Sequence, residues 1–110
     1  MQISRPPLSC RNWFVSRHPG AIEWAQRQGL AIDRQCDHLD PEQILPGDLV
    51  IGTLPIHLAA RVCTRGGRYL HLALELPAHA RGRELSADEL EQYGARLQEF
   101  SVREVAARCR

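Results

Sequence analysis

The chain contains no lysine; its 14 positive side chains are all arginine. A Schiff-base or other catalytic lysine is therefore excluded. Every cation is a planar fork that suits phosphate or carboxylate. A GC-rich coding sequence also gives arginine in place of lysine, so the bias alone assigns no ligand. Net charge is slight, at +1. That argues against a protein that coats DNA or another polyanion, and any anion site has to be local. The apolar runs are too short to span a bilayer, so no membrane partner is expected. Cys10, Cys36, Cys63 and Cys109 include no CxxC pair, and no secretory signal precedes them. They are expected as reduced thiols in a cytoplasmic protein. A zinc site would have to assemble from distant positions, so no metal is expected. P-loop, GxSxG, HExxH and dinucleotide glycine fingerprints are absent, and no cofactor is expected. No internal repeat or low-complexity segment occurs.

What is present is enough for one domain of 110 residues. Residues 1–11 carry Arg5-Pro6-Pro7 without periodicity and are expected to be a poorly ordered lead-in. A single α/β domain is expected over 12–106, with a tail at 107–110. Asn12 to Ser16 is a short β-favouring run. A helix is expected from Pro19 to Gln28, with Ala21, Ile22, Trp24 and Ala25 on one face and Gly29 after it. Leu30 to Leu39 reads as a second strand. Leu49-Val50-Ile51 is a continuous apolar run, as in a central strand buried on both faces. A second helix is expected over Ile56 to Arg65, stopped by Gly66-Gly67. Tyr69 to Leu76 alternates, with Leu70, Leu72, Leu74 and Leu76 on one face and a less apolar face at Tyr69, His71, Ala73 and Glu75. Ser86-Ala87-Asp88-Glu89 opens a third helix with a capping box. Gln98 to Val105 reads as an edge strand or a helix. This order predicts a largely parallel sheet with helices on its faces.

In such sheets, ligands lie beyond the carboxyl ends of the strands. Two turns occupy that position. Ser16-Arg17-His18-Pro19-Gly20 joins a strand to a helix N-terminus, where free N–H groups and partial positive charge favour phosphate. Arg17 can bind an anion through two bonds, Ser16 can donate one, and His18 can donate or transfer a proton. The plain alternative is a helix start with an exposed Arg and His. Gly52-Thr53-Leu54-Pro55 repeats the arrangement. Gly52 permits close backbone approach, and Thr53 offers a hydroxyl and a helix cap. A ligand bridging both turns is one reading, and a routine strand-to-helix cap is the other.

His57 falls in the first turn of the second helix and can face the same cleft or the solvent. His71 reads as a packed or hydrogen-bonded residue, His38 as a turn residue, and His79 as a loop residue without a partner. Arg81-Gly82-Arg83-Glu84 is a basic loop that can close over a phosphate-rich ligand as a lid, or simply be solvated. An Arg-His pair also follows the first strand of histidine phosphatases. Their pattern has Gly directly after the His, where this chain has Pro19.

Several segments taken together resemble a small accessory family of type III CRISPR systems, the Csx-type family numbered sixteen. They are Trp13 to Ala21, His38-Leu39-Asp40, Val50 to Pro55, Leu58-Ala59-Ala60, Tyr69 to Leu72, and Arg81 to Ala87. The resemblance implies a Rossmann-like fold related to the CARF domains, which bind cyclic oligoadenylates. It implies a ring nuclease that cleaves cyclic tetra-adenylate without a metal and switches the antiviral response off. It also implies a homodimer with the ring across the two-fold axis. In that scheme Arg17 stabilises developing charge and His18 moves a proton. Ser16, Gly20, Gly52, Thr53, Leu54 and Pro55 hold the ligand, and Arg81 and Arg83 add lid contacts. The family pattern commonly has Asn at the position of His57, so His57 is implied to position rather than catalyse. A non-catalytic sensor or sponge for the same messenger is the alternative.

Overall fold

The computed structural model describes residues 10–106. Five strands form one sheet: β1 (Asn12–Val15), β2 (Arg34–Cys36), β3 (Leu49–Gly52), β4 (Arg68–Ala73) and β5 (Arg96–Phe100). Their spatial order is β2-β1-β3-β4-β5. The first four run parallel, and β5 is antiparallel to β4. Three helices complete the α/β domain: α1 (Pro19–Arg27), α2 (Ile56–Thr64) and α3 (Ala87–Gln92). Short 3₁₀ turns occur at Pro41–Gln43 and Ala78–Ala80.

Period-two alternation divides the apolar side chains between two faces. Phe14, Leu49, Ile51, Leu70 and Leu72 pack under α1 and α3, against Trp24 and Leu90. Trp13, Val15 and Val50 pack on the opposite face, with Val62 of α2 and Ile44. Both faces of β1 and β3 are therefore covered, as the unbroken apolar run of β3 requires. Arg27 fastens α1 to α3 through Asp88 at 2.7 Å and Glu91 at 3.0 Å. Those carboxylates raise the guanidinium's already high pKa. At the amino end of the sheet, Asp48 is fully buried. It accepts from the Arg11 amide at 2.9 Å, the Leu45 amide at 3.0 Å and Trp13 Nε1 at 3.1 Å. A buried carboxylate is tolerable because three donors replace its water.

The sheet departs from the sequence reading at β2, β4 and β5. β2 covers Arg34–Cys36 rather than Leu30 to Leu39. The chain before it is tied to Asn12 by other bonds: Asn12 Nδ2 donates to the Ala31 carbonyl, and the Asn12 amide donates to Asp33 Oδ2. β4 stops at Ala73; its less apolar face is the more open one at His71, Ala73 and Glu75, with Tyr69 buried at 3% exposure. β5 starts at Arg96 and ends at Phe100. Phe100 pairs with Tyr69, near the start of β4, so little partner strand remains beyond it. Arg68 and Glu99 close that end with two hydrogen bonds. The Val102 amide then donates to the Cys63 Sγ.

Of the expected lead-in, residues 1–9 lie outside the described residues. Cys10 and Arg11 adjoin the sheet, and the Leu49 amide donates to the Arg11 carbonyl at 2.9 Å. The expected tail at 107–110, with Cys109, also lies outside them. Cys10, Cys36 and Cys63 are free thiols. No helix among the described residues is long and apolar enough to cross a membrane.

Candidate functional site

Strand order reverses between β1 and β3, because the chain leaves β1 for β2 on one side and later resumes at β3 on the other. The connections diverge there and leave a crevice at the carboxyl ends. Both turns singled out in the sequence open into it. β1 ends at Val15 beside Gly52 of β3, so Ser16 and Thr53 are side by side. The cleft measures about 250 Å³, and its lining includes Ser16, Arg17, His18, Thr53, Leu54 and Pro55. Asp37 and His38, from the turn after β2, close the third side.

Each turn is held from behind. The Ser16 amide donates to the Cys36 carbonyl at 2.9 Å, and Gln35 Nε2 donates to the Ser16 carbonyl. The His18 amide donates to Ser16 Oγ at 3.1 Å, an ST-turn that bends the chain into α1. His18 is the N-cap residue of α1 with no side-chain cap, and Pro19 occupies the first helical position. The second turn is organised by Tyr69. Its hydroxyl accepts from the Leu54 amide at 2.8 Å and lies 3.1 Å from the Gly52 carbonyl and 2.8 Å from His71 Nδ1. Burial raises the Tyr69 pKa, although the Leu54 bond works against that rise, so the phenol stays neutral.

Arg17 is exposed and has no hydrogen-bond or ion-pair partner among the described residues. Most other described arginines are occupied. Arg27, Arg61, Arg65, Arg68, Arg83 and Arg96 are ion-paired. Arg11 and Arg34 lie over the Trp13 ring. Arg17 is thus an uncommitted cation pointing into a crevice, which is what an anion site needs. Burial, followed by the charge of Asp37, pushes the Cys36 thiol pKa up. That shift favours the thiol over the thiolate.

The remaining expected site residues have other neighbours. A Cβ on Gly20 would overlap the Leu85 carbonyl oxygen, so this glycine lets α1 press against the chain entering α3. A Cβ on Gly52 would lie 2.7 Å from the Val15 carbonyl oxygen. That close approach is to the neighbouring strand. Thr53 does not cap α2; the N-cap residue is Pro55, without a side-chain cap. His57 is exposed in the first turn of α2 and does not line the cleft. Arg81 is exposed and stands apart from it. Arg83 is bound to Glu89 at 2.7 Å. His71 is hydrogen-bonded, as its place on the strand suggests. Among the described residues, no group of three or more His, Cys, Asp or Glu is arranged to hold a metal ion.

A family model described as "Putative CRISPR-associated protein (Cas_VVA1548)" matches residues 13–103, from β1 past β5. The chain belongs to this family. No curated protein and no solved structure matches it. The matched span of this CRISPR-associated protein contains the whole crevice and both turns. It also contains three contributors that the sequence reading passed over as site residues: Gln35, Asp37 and Tyr69. Asp37 and Gln35 follow from the register of β2 against β1, which a short edge strand does not announce. Tyr69 is the one with a visible signal, since an aromatic hydroxyl on a buried strand needs a polar partner.

Proposed function

We propose that this CRISPR-associated protein is a metal-independent ring nuclease. In this reading it belongs to the Csx-type family numbered sixteen of type III systems and has a CARF-like, Rossmann-related fold. It binds cyclic tetra-adenylate in the cytoplasm, as a homodimer with the ring across the two-fold axis, and its cleavage ends the antiviral signal. The observation that carries the reading is Arg17, a free cation, beside the hydroxyls of Ser16 and Thr53 and the imidazole of His18 at the switch point of a mostly parallel sheet.

The chemistry needs little from the protein. Each ribose supplies its own nucleophile, the 2′-OH. The 2′ oxygen attacks the adjacent phosphorus in line, the bond to the 5′ oxygen breaks, and a 2′,3′-cyclic phosphate and a 5′-hydroxyl result. Arg17 stabilises the charge that builds on the phosphoryl oxygens. His18 takes the 2′ proton or returns one to the 5′ oxygen. Ser16 and Thr53 orient the phosphate, and Asp37 offers an acceptor for a ribose hydroxyl.

Incubation with cyclic tetra-adenylate in excess chelator tests this. Linear fragments ending in cyclic phosphate are expected, and Arg17→Ala abolishes them. Intact ring after long incubation with stoichiometric protein overturns the enzymatic reading. One observation favours the sensor or sponge alternative: no described side chain holds the His18 ring in place. Tight binding without cleavage is its signature. Absence of any binding points instead to a protein-interaction subunit.

A further inference from the structure

The Arg17 cleft shares a wall with a second concavity. Ser16, His18 and Thr53 line both. The second one extends toward β4 and α3, and its chemistry is different. Leu72 belongs to β4, Leu74 follows its end, and Leu85 and Leu90 come from the α3 side. It measures about 180 Å³, smaller than the roughly 300–1,000 Å³ of sites for drug-sized ligands. That size suits one ring system rather than a whole nucleotide. Leu74 and Leu85 are half-buried over the buried Leu72 and Leu90, and this apolar surface can take a face of a flat ring out of water.

Two polar groups stand at the rim. Arg83 is already neutralised by Glu89, which makes it a poor phosphate clamp. Its guanidinium plane remains suited to stacking on a base. Glu84 is exposed at the same rim, and its carboxylate can accept from an exocyclic amine. An anion site and an apolar slot on either side of one three-residue wall match the two halves of a nucleotide.

We infer that the leucine-lined concavity is a nucleobase subsite that takes an adenine while the adjoining phosphate lies on Arg17. The inference rests on the ring-nuclease reading for its ligand class. Arg83 and Glu84 then read the base, and the phosphate contacts belong to Ser16, Arg17 and Thr53.

Calorimetric titration of the full chain with cyclic tetra-adenylate and with cyclic tetra-uridylate tests it, alongside Leu74→Trp, which fills the slot. The unaltered protein is expected to bind the uridine ring roughly ten- to a hundredfold more weakly, the scale of lost base contacts. Leu74→Trp is expected to weaken the adenine ring by a similar factor while its melting transition stays cooperative. Equal affinity for the two rings overturns the subsite and leaves the ring-nuclease reading standing. So does full affinity in a folded Leu74→Trp protein. If that variant does not fold, the comparison of the two rings decides alone. If the unaltered protein binds neither ring, the ring-nuclease reading falls and the subsite with it.

Discussion

The Tyr69 hydroxyl accepts the Leu54 amide at 2.8 Å, so a core side chain of β4 fixes the turn that follows β3. Tyr69→Phe keeps the ring and removes that acceptor. The half-buried Leu54 N–H loses its partner, at a cost of about 1–3 kcal/mol in urea unfolding. The turn also loses its shape, so cleavage of cyclic tetra-adenylate should slow by more than ring affinity falls. Paired turnover and titration measurements check this.

Arg17 and His18 are exposed, so replacing either should leave unfolding unchanged within about 0.5 kcal/mol. Activity should respond strongly. His18→Ala should slow cleavage roughly 10²- to 10⁴-fold, the scale of a lost acid or base. Arg17→Lys keeps the charge but not the fork and should recover only part of what Arg17→Ala loses. Single-turnover rates decide both, and an unchanged rate in His18→Ala removes that residue from the mechanism.

Asp48 satisfies three N–H groups from Arg11, Trp13 and Leu45. Asp48→Ala strands all three, and a loss of about 3 kcal/mol or more is expected. The denaturation midpoint should move without a change in slope, since the same surface is exposed on unfolding.

Gly20→Ala brings a methyl group onto the Leu85 carbonyl. Either α1 or the entry to α3 must shift, at roughly 1–3 kcal/mol. Amide exchange should accelerate in α3 first, because it is the shorter helix.

Glu89 is held down to about 2 from an ordinary 4.5, first by Arg83 and then by the Ser86 amide. A depressed acid contributes stability above its unfolded pKa and loses it as pH falls through the folded value. The contribution of Glu89 should therefore be complete above pH 4.5 and fade toward pH 2. Melting temperatures of the unaltered protein and Glu89→Gln should converge over that interval. The effect is small, because the pair is solvent-screened.

Most of the fold was legible because its signals are local. The Leu49-Val50-Ile51 run, Pro19 at a helix start and the Ser86–Glu89 capping box each act within a few residues. The two turns were legible for the same reason, since strand, turn and helix are contiguous there. What escaped was long-range. β2 is shorter than its sequence pattern suggests because the chain before Arg34 is tied to Asn12 by one backbone bond from Asp33 and by two bonds that involve side chains. Asp37 enters the site only through β2–β1 pairing. The tight packing of Gly20 against Leu85 and of Gly52 against Val15 is likewise long-range, and a single glycine letter does not name the neighbour. The single letter at Arg83 could not reveal that Glu89 already holds it.

The common wall of Ser16 and Thr53 rests on two central parallel strands, whose spacing is fixed at about 4.8 Å by their hydrogen bonds. That makes the gap between the turns a rigid gauge. It cannot widen for a bulkier ligand without tearing the middle of the sheet. A change of ligand would therefore fall on the 74–86 segment, which belongs to no strand of the sheet.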